Sequence, residues 1–292
     1  MNNRVSVIIP SRSEKFLRPT VNEVLTKCAG DVEAVVILDG GAWPDPPLPE
    51  DERLVVIRRT ESRGMRPAIN DGVAASSGDF IFKLDAHCLL AEGYDVALQE
   101  GCDEKTIIIP RRKRLDATNW CIQDCGKPDV DYEFVSFPDN PADFGGPGLN
   151  GRIWTNRILE RMDIPFDENL SFQGSGWFMR KSYFNFLELM DTENYGPFWN
   201  EAQEAGFKSW LSGGRVMTNK KTWYAHLHKG KEHGRGYHLN SEWLTRGATF
   251  TKRWIQNAAW DKQTLPFHWL IEKFWPIPNW PADWKEQLNY KG

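Results

Sequence analysis

The chain has 292 residues, 40% of them hydrophobic and 26% charged. These are ordinary proportions for a folded protein with room for one large domain, or one domain with an appended part. A net charge of −4 gives no general pull toward nucleic acid or an anionic bilayer, and no apolar stretch approaches the roughly 20 residues that span one. The five cysteines (Cys28, Cys88, Cys102, Cys121 and Cys125) are odd in number and form no C-x-x-C pair. They read as reduced thiols of a cytosolic protein. The opening "MNNRVSVIIPSR" enters a strand at once, with no signal-peptide pattern.

Short β-branched runs follow in order: "VSVIIP" (5–10), "AVVILD" (34–39), "LVVIRR" (54–59), "DFIFKLD" (79–85) and "TIIIP" (106–110). Bounded by polar turns, they suit strands buried on both faces. The segments between them can be helices, with Pro19 and Pro67 placed where a first helical turn tolerates proline. This alternation predicts an α/β fold with a mostly parallel sheet, whose ligands gather beyond the carboxyl ends of the strands. Asp39, Arg58 and Asp85 fall there. "RRKR" (111–114) is the one basic run, and such a run is usually a solvated loop.

Residues 111–175 read as loop-rich. A helix is expected at "NEAQEAGFKSWLSGG", capped by Asn200, ended by Gly213, with Phe207 and Trp210 inward. Seven of the 14 tryptophans lie between Trp243 and Trp284, and "FWPIPNWPADW" has too many prolines for one regular element. The expected organisation is a domain over 1–228, made of a first half (1–90) and a second (91–228), then an aromatic extension over 229–292.

The chemistry concentrates at "LDAH". Alternate residues of a strand share a face, so Asp85 and His87 can converge on one ion. A carboxylate with an imidazole suits Mn²⁺ better than Mg²⁺. A strand-end Asp capping the next turn beside a structural His is the competing reading.

"TESRGMRPAINDGVAASSGDFIFKLDAHCLL" (60–90) resembles the nucleotide-sugar half of GT-A glycosyltransferases, and most of all the polypeptide N-acetylgalactosaminyltransferases, whose metal motif is also Asp-x-His followed by Cys. "GSGWFMRKSYF" (174–184) is similar to that family's Gly-Gly-Leu-Phe segment. "WNEAQEAGFKSWLSGG" (199–214) is similar to its Trp-Gly-Gly-Glu segment and the helix after it. His226, twelve residues past Gly214, stands where the family carries a third metal ligand, with His228 as the rival. The resemblance runs in order over about residues 4–228.

That resemblance implies a GT-A fold, Rossmann-like with a mostly parallel central sheet, and a metal-dependent transfer from a nucleoside-diphosphate sugar. Asp85, His87 and His226 would hold Mn²⁺ or another divalent cation against the diphosphate, whose negative charge builds as it leaves. Pro10, Arg12, Asp39, Arg63, Gly64, Arg66, Asn70, Asp85, Ala86 and Trp177 are the implied nucleotide-sugar contacts. Asp39 would accept from the N3–H of uracil. Lys229, Arg235 and Tyr237 join them from a glycine-punctuated closing loop, "KGKEHGRGY". Glu201 matches the family's Glu, and Glu204 shares its helix face, so these two acids are the catalytic candidates. Retention of anomeric configuration is the implied outcome.

"HLHKGKEHGRGYHL" also resembles glycosyltransferases of tailed bacteriophages, which would place the enzyme in the host cytoplasm. It would also permit a hydroxymethylpyrimidine of phage DNA as acceptor, flipped out and held by aromatic side chains. A protein or glycan acceptor is the other expectation. Two rival functions remain: a nucleotidyltransferase, whose glycine-rich loop is missing from "PSRSEKFLRP", and an inactive nucleotide- or carbohydrate-binding protein.

Overall fold

The computed structural model describes residues 3–138, 148–229, 233–234, 238 and 240–290. A single mixed sheet organises the molecule. Its first half holds β1 (Val5–Ser11), β2 (Val32–Asp39), β3 (Leu54–Arg59) and β4 (Phe80–Leu84). Helices α1 (Leu17–Thr26) and α2 (Met65–Ala75) connect them. The four strands are mutually parallel in the order β3-β2-β1-β4. The apolar runs of β1, β2 and β4 show no alternation because both faces are covered, while the edge strand β3 is only partly buried. α2 lies so close that a Cβ at Gly72 would stand 2.6 Å from both Ile37 Cδ1 and Ile8 Cγ2. Glycine is what lets the helix seat on the sheet.

The second half begins with β5 (Cys88–Leu90), α3 (Tyr94–Gln99) and β6 (Thr106–Asp116), then β7 (Cys121–Ile122). β8 (Glu133–Val135) and β9 (Gly151–Ile153) form a small antiparallel pair, followed by α4 (Thr155–Glu160) and β10 (Phe166–Glu168). β11 (Gly176–Arg180) inserts antiparallel between β4 and β6. After α5 (Lys181–Phe186), α6 (Thr192–Tyr195) and α7 (Glu201–Leu211), β12 (Arg215–His226) runs parallel to β6. The chain closes with α8 (Ser241–Thr251), α9 (Phe267–Lys273) and α10 (Trp284–Gln287).

Two expectations need correction. "RRKR" is part of β6 and not a free basic loop: Arg111 is bidentate to Asp131 (2.9 and 2.8 Å), Lys113 reaches Asp129 at 2.9 Å, and Arg114 donates to Pro128 O at 2.8 Å. Asn200 stands at the start of α7 in the left-handed region, φ +54°, and its side chain does not cap the helix. Gly213 does end it, at φ +81°. The tryptophans of the extension are largely core: Trp254, Trp280 and Trp284 are buried in the cluster that also takes Phe207 and Trp210. No helix among the described residues is long and apolar enough to cross a membrane.

Candidate active site

The end of β4 is built around a buried cation. Lys83 has no solvent exposure and sends Nζ to Asp85 Oδ1 and to Gly174 O. Asp85 N donates to Ser175 O at 2.9 Å, so the residue leaves the strand in a fixed direction. β5 pairs antiparallel with β12, placing Cys88 opposite His226. That register brings His226 beside His87, their ring centroids 4.8 Å apart. Asp85 Oδ2 lies 3.2 Å from His226 Nε2 and 3.8 Å from His87 Nε2. One ligand atom from each of the three residues falls within a 4.8 Å group. His228 lines the cleft nearby but is not of this group.

The donor set fits a divalent cation. Burial raises the Asp85 carboxyl, but the Lys83 charge and the two histidines outweigh it and hold the group ionised. Burial depresses His226 to about 3, against the pull of Asp85, so its imidazole is neutral, as a ligand must be. His226 Nδ1, the ring nitrogen other than the one beside Asp85, has no hydrogen-bond partner among the described residues. One carboxylate and two imidazoles suit Mn²⁺ and similar ions.

Sequence reasoning missed Glu14. Its Oε2 stands 3.1 Å from His87 Nδ1 and also pairs with Lys229. Burial raises its carboxyl, and the His87 and Lys229 contacts overcome that and lower it. The pair repeats the carboxylate–histidine arrangement that orients metal-bound imidazoles. Nothing in "SRSEKF" marks Glu14, because its partner lies 73 residues on.

These groups floor a cleft of about 580 Å³. Pro10, Arg12, Asp39, Gly64, Ala86, Glu201 and Lys229 line it with the three cluster residues. Asp39, however, is saturated by its own chain. Its Oδ1 accepts from Arg59 Nη1 (2.7 Å) and Arg63 N (2.9 Å), and its Oδ2 accepts from Ser62 Oγ (2.7 Å) and Gly64 N (2.8 Å). It shapes the 59–64 turn at the cleft edge.

Five expected site residues lie away from the cleft lining. Arg63 points outward toward Asp71, and Asn70 donates to Met190 O at 3.0 Å. Trp177 is fully buried on β11, stacked on Phe184. Arg66 and Glu204 are both fully buried and paired with each other. Glu204 also accepts from Lys208 Nζ at 2.8 Å and Asp191 N at 3.0 Å. With every oxygen engaged and no solvent contact, Glu204 cannot receive a proton from an acceptor, and Arg66 cannot meet a diphosphate. Helix geometry explains both: Arg66 shares a face of α2 with buried Ile69 and Val73, and Glu204 shares a face of α7 with buried Phe207 and Leu211. Arg235 and Tyr237 lie outside the described residues.

Glu201, Gln203 and Glu133 also line the cleft. Glu201 packs on Gly174, where a Cβ would meet Oε1 at 2.1 Å. Gln203 Nε2 donates to Ser171 Oγ at 3.2 Å. Burial pushes the Glu133 carboxyl above its usual range, opposed by the charges of Arg112 and Arg152.

The sheet order, the antiparallel β11 set between β4 and β6, and the acid–histidine cluster beyond β4 together define a GT-A transferase scaffold. The model of glycosyl transferase family 2 matches residues 6–185, and the chain belongs to that family. A putative polypeptide N-acetylgalactosaminyltransferase 13 of Drosophila melanogaster is 25% identical over 236 residues, covering 73% of this chain and 39% of the relative. The chain therefore spans about two fifths of that relative's length. The crystal structure of GalNAc-T7 with UDP, GalNAc and Mn²⁺ superposes with a TM-score of 0.66 at 17% identity, over 92% of this chain and 56% of the other. TarS 1–349 of S. aureus, solved with UDP-GlcNAc, gives 0.55 at 14% identity, over 89% and 68%.

Proposed function

We propose that the chain transfers a sugar from a UDP-linked donor to an acceptor hydroxyl, with a divalent cation, preferably Mn²⁺, at the diphosphate. The observation that carries this is the Asp85–His87–His226 cluster at the floor of the cleft, beyond the end of β4. The matched family and the UDP-bound structures with the same fold support the donor class. Held by those three residues, a divalent cation would offset the charge that develops on the departing diphosphate.

The chain's own groups supply the rest. Lys83 and Glu14 fix the orientations of Asp85 and His87. Lys229 sits at the cleft as an additional positive charge for phosphate oxygens. In the transfer, the acceptor oxygen bonds the anomeric carbon as the carbon's bond to the diphosphate breaks, and the acceptor proton needs a receiver. Of the two acids expected from sequence, Glu201 alone reaches the cleft, and we assign its carboxylate to the acceptor hydroxyl, whose proton it takes as the diphosphate leaves. Arg111 and Lys113 of "RRKR" are paired with acids, and Trp254, Trp280 and Trp284 are core, so these residues lend no support to DNA as acceptor.

Calorimetry with UDP, GDP and CDP, with and without Mn²⁺, tests the reading in wild type and His226→Ala. UDP is expected to bind in a metal-dependent way, with affinity at least about tenfold lower in the variant. Equal UDP binding without metal, or no change in the variant, would overturn it.

A further inference from the structure

We propose that Trp199 is a stacking platform for the acceptor and that the acceptor presents a polyhydroxyl sugar ring; this rests on the transferase reading above. Two consecutive non-glycine residues, Trp199 (φ +84°) and Asn200 (φ +54°), enter α7 in the left-handed region. For a bulky residue that is an outlier, costing on the order of 1–3 kcal/mol, and it persists only where the surroundings enforce it.

The enforcement is visible. Arg66 Nε and Nη2 both donate to Trp199 O, at 3.1 and 2.8 Å. The guanidinium lies 4.5 Å from the Tyr195 ring centroid and is locked by Glu204. A fully buried ion pair thus grips the carbonyl of the strained residue. Glycine at 199 would relieve the strain, yet the chain keeps an indole there, 37% exposed and lining the cleft, with Phe198 stacked beside it. An exposed fused ring held at such expense indicates that the ring itself is used.

The neighbouring polar groups choose the occupant. Glu201, Gln203 and Glu133 line the same cleft. Among the described residues, no hydrogen bond is directed to the Glu133 carboxyl. Carboxyl and amide groups accept hydroxyl donors. A ring with one C–H face and several hydroxyls satisfies both the indole and the acids.

The test uses wild type, Trp199→Phe and Trp199→Gly. Saturation-transfer NMR, with UDP and Mg²⁺ present, would probe methyl glycosides of glucose, galactose and N-acetylglucosamine, and 5-hydroxymethyl-2′-deoxycytidine. Ring C–H signals from at least one glycoside are expected in wild type and W199F and should fall at least about fivefold in W199G. The UDP Kd should stay within about twofold in all three, and W199G should melt no lower than wild type. Glycoside signals unchanged in W199G, absent throughout, or exceeded by the nucleoside would overturn the proposal. So would a tenfold weaker UDP Kd in W199G, which would assign the ring to the donor. Failure of wild type to bind UDP at all would instead sink the transferase reading, and this inference with it.

Discussion

Asp85 and Glu204 are both carboxylates set against fully buried cations, Lys83 in one case and Arg66 in the other. What differs is what each has left over. Lys83 takes one oxygen of Asp85, and the second faces His226 and His87 at the cleft floor. Glu204 spends both oxygens on Arg66, Lys208 and a backbone amide, and nothing reaches solvent. A buried ion pair is therefore not itself a mark of chemistry. The unspent lone pair is, and only the strand-end acid retains one.

The sealed pair gives the largest expected effect. Glu204→Gln leaves Arg66 and Lys208 without a balancing charge and should destabilise the fold by about 3–5 kcal/mol. Urea denaturation reads that loss, while Mn²⁺ affinity should stay within about twofold. A loss below about 1 kcal/mol would erase the distinction between the two clusters.

The open cluster should respond the other way. Glu14→Gln loosens His87 without emptying the core, and a 10- to 100-fold loss of Mn²⁺ affinity is expected from weakening such a carboxylate–imidazole contact. Titration followed by Mn²⁺ electron paramagnetic resonance measures it; an unchanged affinity would mean that His87 needs no support.

The smallest effect belongs to Glu133, a carboxyl that is neither sealed in an ion pair nor at the cation site. Its folded pKa lies above the ordinary 4.5 because of burial. The stability it contributes is therefore complete below about pH 4.5 and is lost as pH rises through the folded value. Glu133→Gln should be nearly neutral in acid and gain on wild type as pH climbs toward 7, in denaturation curves taken across that range. A constant difference at every pH would show that the carboxyl does not titrate differently on folding.

The first half of the molecule is easier to read from sequence than the second. β1 to β4 declare themselves as unbroken β-branched runs, and Asp-x-His at the end of such a run marks the acid and the imidazole that meet, although residues 85–87 form the bend between β4 and β5 and not a continuing strand. Arg66 shows how a motif-based placement goes astray. The family resemblance implied a nucleotide-sugar contact, but the spacing of Arg66 from Ile69 and Val73 put it on the inward stripe of α2, a signal present in the sequence. β6 held a similar clue, since Arg111 and Lys113 alternate and so face one side of a strand, toward Asp131 and Asp129. Lys83 and Glu14 carried no such signal. Their roles come from contacts with Gly174 and His87, set by tertiary packing and not by any local pattern.

The tail is stitched to the segments that carry Glu133, Asn150 and Glu201. Trp280 Nε1 donates to Val135 O and Leu149 N to Thr251 Oγ1, both at 2.8 Å, while Thr264 and Leu265 close onto Leu211 O. Trp254 Nε1 meets the hydroxyl of Tyr195, whose ring supports Arg66. In terms of lineage, the aromatic tail and the wall that would meet the acceptor can only be inherited together. A relative that exchanged one without the other would have to rebuild a shared core.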